Sequence, residues 1–143
     1  MLECGGTIIT EWHVLTAAHC VIDDTVYGRV TTQVNVTVGV HNRNEGGQKI
    51  EVAQWIIHDY NKTIMENDIA ILKLKEKIQV GPNVAVIDWR DSPSARYEGK
   101  EATAIGWGRT ENSKPVNTPH SPSQLLHNVR LGTCNSIGRG LTC

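Results

Sequence analysis

"VLTAAHC", residues 14–20, sets a histidine directly beside a cysteine at the end of a short apolar run. An imidazole with an ordinary pKa of about 6.5 can take a proton from a weak nucleophile at neutral pH and later return it. That work requires the ring to be held in one orientation. The small pair Ala17 and Ala18 lets the turn around His19 pack tightly against whatever lies behind it. The stretch therefore reads as part of a hydrolytic site, reached from a β-type segment.

Outward from this stretch the β character continues. Residues 7–9 and 13–16 read as two short strands joined by a turn at 10–12. In residues 33–40, Val34, Val36, Val38 and Val40 alternate on one face and leave Asn35 and Thr37 on the other. "HNRNEGGQ", residues 41–48, has the composition of a loop, and residues 49–57 return to β-type side chains. After Asp68, Ile69 and Ile71 fall on one face and Ala70, Leu72 and Leu74 on the other, the pattern of a strand buried on both sides. No long amphipathic helix, internal repeat or low-complexity segment is present, so the fold class is all-β.

Three motifs, in order, carry a family resemblance. "CGGTIITEWHVLTAAHC" (residues 4–20) resembles the histidine box of the chymotrypsin/trypsin-like serine proteases, "NDIAILKLK" (67–75) their aspartate box, and "GWGRT" (106–110) a third family motif. The resemblance implies a trypsin-like double β-barrel, with the first barrel nearly complete and the second truncated. On that basis residues 1–88 form an N-terminal barrel lacking its first strands, 89–101 a linker, and 102–143 the start of a C-terminal barrel. The Pro- and Ser-rich segment 111–124 cannot be a central strand and corresponds to a loop that is nicked in relatives.

The resemblance also implies roles. His19 becomes the general base and acid, and Asp68 the carboxylate that holds its tautomer. Taken alone, a histidine in a β-protein has commoner uses, and an aspartate before a strand usually makes a turn. His13, His41, His58, His120 and His127 have no comparable context and read as structural or surface residues, while Trp12 and Trp107 read as fillers of core or interface space.

The family's nucleophile lies in Gly-Asp-Ser-Gly-Gly, and that string does not occur among these 143 residues. Ser92, Ser94, Ser113, Ser121, Ser123 and Ser136 all lack flanking glycines on both sides. The expectation is therefore a fragment of a serine endopeptidase, inactive by itself, whose parent acts on protein or peptide substrates and meets protein inhibitors. The rival reading is a non-catalytic protease homologue that serves as a binding or regulatory module. A truncated gene product is the third.

Four cysteines without a CxxC pair read as two disulfides rather than a metal site, and four cysteines allow three pairings. The resemblance favours Cys4 with Cys20 and Cys134 with Cys143. For a loop the size of the first, chain-entropy arguments give roughly 3 kcal/mol. No cofactor is expected. The net charge of −1 marks no nucleic-acid partner, and no apolar run is long enough to span a bilayer. The start "MLECGG" lacks the features of a secretory signal. Two sequons, Asn35-Val36-Thr37 and Asn61-Lys62-Thr63, together with the disulfides point to a secreted glycoprotein whose signal is absent from this chain.

Overall fold

The computed structural model describes residues 4–22, 33–42, 45–89, 101–104 and 127–130, the last two segments as backbone. The chain divides into two compact units, and the described parts of the first are residues 4–22, 33–39 and 47–89. This unit is a five-stranded antiparallel sheet built from β1 (Thr7–Thr10), β2 (His13–Thr16), β3 (Asn35–Val38), β4 (Gln48–Ile57) and β5 (Ala70–Leu74). The strand order is β1-β2-β5-β4-β3. One turn of 3-10 helix, Ala18–Cys20, follows β2. In the second unit, β6 (Glu101–Ala104) and β7 (His127–Arg130) form an antiparallel pair, with Glu101 opposite Arg130. The described elements are thus almost entirely strands, as the all-β reading requires.

The β1–β2 hairpin turns at Glu11 and Trp12, where the Thr10 hydroxyl accepts the Trp12 N–H at 3.1 Å and lies 2.8 Å from His13 Nδ1. The turn is tied to the far end of β5 by the Leu74 N–H on the Trp12 carbonyl, by the Ile78 N–H on the Glu11 carbonyl and by a Lys77–Glu11 ion pair. Trp12 itself is 43 % exposed. Its place in the tight turn commits its backbone to hydrogen bonds and leaves the indole on the surface, so of the core or interface role expected for it the core one does not hold, and Trp107 lies outside the described residues.

Val14, Ala18, Val21, Val38, Ile50, Val52, Ala70, Leu72, Leu74, Ile78 and Val84 form one buried cluster. In β4 the buried positions are Ile50 and Val52, yet beyond Ala53 the partly buried positions become Trp55 and Ile57. A register shift between Val52 and Gln54 explains the change. Ala53 is an extra residue in the ladder, and one extra residue exchanges the two faces of a strand. In β5, by contrast, alternation is strict: Ala70, Leu72 and Leu74 are buried, Lys73 is exposed, and Ile69 just ahead of the strand is 45 % exposed. Among the described residues one buried cluster packs against this sheet, so the strand is fully buried on one face only, with Ile71 half-buried on the other.

Gly6 shows why a glycine stands directly before β1. A Cβ there would lie 2.7 Å from Val14 Cγ1 and 3.2 Å from the Leu15 carbonyl oxygen, closer than a methyl group tolerates. Next to it, the Thr16 hydroxyl donates to the Gly5 carbonyl at 2.8 Å. The segment that bears Cys4 is thereby laid against the end of β2, the strand that delivers His19.

Candidate active site

The pairing of β2 with β5 brings the two site residues together across 49 positions of sequence. The register sets Thr16 opposite Ala70. His19 lies three residues beyond Thr16 and Asp68 two residues before Ala70, so both emerge at the same end of neighbouring strands. The 3-10 turn then bends the chain so that Ala18 is wholly buried while the His19 side chain remains 46 % exposed. Ala18, the residue directly ahead of the histidine, is thus a small side chain packed in the core, while Ala17 is half-buried.

Asp68 contacts His19 at two atoms. Its Oδ2 lies 2.7 Å from ring Nδ1, and its Oδ1 accepts the His19 backbone N–H at 2.9 Å. A carboxylate accepts and cannot donate, so Nδ1 carries the proton and the neutral ring keeps its lone pair at Nε2. Nε2 lies 3.6 Å from Cys20 Sγ. The Asp68 side chain is only 11 % exposed. Burial by itself would raise its pKa, but the backbone N–H of His19, the His19 ring and the Ala18 backbone outweigh it and hold the carboxyl below its ordinary value.

The loop leading into Asp68 is held by its own hydrogen bonds. Asn61 and Glu66 exchange backbone bonds at 2.9 and 3.2 Å, and Asn61 Oδ1 accepts the Thr63 and Ile64 N–H groups. Asn67 Nδ2 donates to the Asp59 carbonyl at 3.1 Å. Asp59, Met65 and Asn67 adopt φ of 43°, 56° and 55°, a region that residues with side chains enter at some energetic expense. Sequence reasoning found Asp68 but missed the positioning role of Asn67. Its type was the available clue, since asparagine is among the few non-glycine residues that accept this conformation readily.

Cys4 and Cys20 are joined by a disulfide, with Cα atoms 6.1 Å apart. The sulfurs lie with a ring nitrogen of His19 inside 4.8 Å of one another. Because both sulfurs are bonded to each other, they offer no thiolate to a metal ion. Asn35 and Asn61 are both exposed, Asn35 on β3 and Asn61 in the loop before Asp68. Cys134, Cys143, the loop 111–124 and all six serines lie outside the described residues. Among the described residues no helix is long and apolar enough to cross a membrane.

An antiparallel sheet that presents a carboxylate-held, half-exposed histidine beside a disulfide is the architecture of the all-β, trypsin-like class. The trypsin family model matches residues 1–142, and the chain belongs to that family. It is 35 % identical to rat chymase over 132 residues, which covers 90 % of this chain and 47 % of chymase. It is 38 % identical to trypsin theta of Drosophila melanogaster over 107 residues, covering 73 % and 38 % of the two chains, and 34 % identical to rat chymotrypsin-C, covering 79 % and 41 %. The chain therefore spans less than half the length of these relatives. Among solved structures, the scabies mite inactivated protease paralogue S-D1 shares the fold with a TM-score of 0.63 at 22 % identity, covering 78 % of this chain and 46 % of that one.

Proposed function

We propose that this chain supplies the base and the orienting carboxylate of a secreted trypsin-like serine endopeptidase that acts on protein or peptide substrates. His19 Nε2 takes the proton from a nucleophilic hydroxyl and passes it to the leaving amine. Asp68 holds the ring in that tautomer and stabilises the imidazolium that forms. The observation that supports this most is the double contact of Asp68 with the ring Nδ1 and the backbone N–H of His19.

The nucleophile is not supplied by this sequence, because Gly-Asp-Ser-Gly-Gly is absent from it. On this reading the 143 residues are one part of the working enzyme and hydrolyse nothing alone. The same absence is what favours the second reading, a non-catalytic homologue that keeps the scaffold for binding.

A serine-directed fluorophosphonate probe separates the two readings when applied to the natural protein and to its His19→Ala variant. Labelling of the natural protein that is abolished in the variant supports the peptidase. A folded natural protein that stays unlabelled and cleaves no peptide supports the binding module.

A further inference from the structure

We propose that Asn61 carries an N-linked glycan at the rim of the His19–Asp68 site, and that this glycan disfavours bulky protein partners relative to short peptides. The inference rests on the peptidase reading above.

Asn61-Lys62-Thr63 is an acceptor sequence, and the structure places it in an exposed loop. Asn61 Oδ1 is engaged by the Thr63 and Ile64 N–H groups at 3.0 and 3.4 Å. The glycan attaches at the other arm of the amide, Nδ2, so the folded loop and the modification are compatible. The donor is an oligosaccharide on a lipid pyrophosphate: its sugar C1–O bond breaks, a C1–Nδ2 bond forms, and the amide proton and the lipid pyrophosphate leave.

The loop fixes where that glycan stands. Asn61 pairs with Glu66, which puts their Cα atoms about 5.5 Å apart or less. Glu66 is two residues from Asp68, a step of at most about 7 Å. The anchor thus lies within roughly 13 Å of Asp68. The core of an N-linked oligosaccharide is several sugar rings long and spans that distance. The Asn61–Glu66 bonds and the Asn67 bond to Asp59 keep the anchor from swinging away. Ile64 and Met65, which are 53 % and 44 % exposed beside it, lie within the glycan's cover.

Asn35 provides an internal comparison. It is also exposed, but it lies on edge strand β3, two strands and so roughly 10 Å across the sheet from β5, and its partner Glu51 bonds Lys75 at the opposite end of β5 from Asp68. A glycan there stands away from His19 and Asp68.

The test uses the natural protein secreted by glycosylating cells, with mass mapping of the Asn61 peptide before and after an amidase that converts glycosylated Asn to Asp. Thr63→Val removes the acceptor sequence and leaves Asn61 in its turn, Asn61→Asp keeps an oxygen for the two N–H groups, and Thr63→Ser retains the glycan. Thr63→Val and Asn61→Asp are expected to raise kcat/KM on a folded protein substrate by about fivefold and to leave a short peptide substrate within about twofold. Thr63→Ser and Thr37→Val are expected to match the unmodified sequence. An unoccupied Asn61, or Thr63→Val with an unchanged protein-to-peptide ratio, overturns the proposal. If no variant hydrolyses anything, the peptidase reading has failed instead. The association rate of a Kunitz-type inhibitor protein then replaces hydrolysis as the readout, with the same expected rise and the same contrary result.

Discussion

Asp68 grips His19 through both carboxylate oxygens, Oδ2 at 2.7 Å from ring Nδ1 and Oδ1 at 2.9 Å from the backbone nitrogen. The backbone bond locks the carboxylate to the main chain, and the ring bond locks the imidazole to the carboxylate. The orientation of His19 is therefore inherited from the strand pairing of Thr16 with Ala70.

Asp68→Asn keeps the size of the side chain and removes one acceptor. Either the backbone N–H or the ring N–H of His19 then faces an amide donor, and the ring is pushed toward the wrong tautomer. In the full natural protein kcat is expected to fall by about 10⁴, as this change does in the chymotrypsin triad, with KM little altered. Steady-state hydrolysis of a peptide ester measures it.

The lowered pKa of Asp68 sets a pH dependence of stability. The folded state holds fewer protons at this carboxyl than the unfolded state, so the stabilisation is present above the unfolded pKa of about 3.9 and is lost as pH falls through the lower folded value. Thermal midpoints of the natural protein and of Asp68→Asn are expected to differ at pH ~6 and to converge as the pH falls through the lowered folded value of Asp68. A difference that persists unchanged into acid contradicts this.

Asn67 occupies a left-handed conformation immediately before Asp68 and also bonds the Asp59 carbonyl. Asn67→Val puts a β-branched side chain at φ 55° and is expected to lower stability by about 1–2 kcal/mol. Asn67→Gly relieves the backbone and loses only the hydrogen bond, about 1 kcal/mol. Chemical denaturation should rank the valine variant below the glycine variant, and the valine variant should also lose more kcat.

Gly6→Ala drives a methyl group into Val14 Cγ1 and the Leu15 carbonyl. Val14 is buried in the core cluster and its methyl has little room to move aside, so a loss of about 1–3 kcal/mol is expected. Gly5→Ala meets nothing within 4 Å and serves as the control.

Cys4→Ser with Cys20→Ser opens a loop with a sequence separation of 16 that closes beside His19. A loss of about 3 kcal/mol is expected from the freed unfolded chain. Comparison of denaturation midpoints under non-reducing conditions checks it.

Much of this was legible in the sequence because it depends on local pattern. The hairpin at residues 7–16, the outward face of Asn35 and Thr37, and the strand after Asp68 follow from alternation with a period of two, which any β-strand imposes. The candidate pair His19 and Asp68 was legible for a different reason: each stands in a family motif that resemblance makes readable. The exposure of Ile69 and Trp12 was not legible, since periodicity says which residues share a face and not whether anything covers it.

The amino-acid sequence by itself thus determined the β class, the alternation of faces within each uninterrupted strand and the identity of the two candidate site residues. Only the tertiary structure decided how those residues meet. The extra residue Ala53 that exchanges the faces of β4 and the register that brings Asp68 to His19 both arise from pairing between distant segments. Hydrogen-bond register across neighbouring strands is a property of two chain segments at once, so no reading of either segment alone contains it.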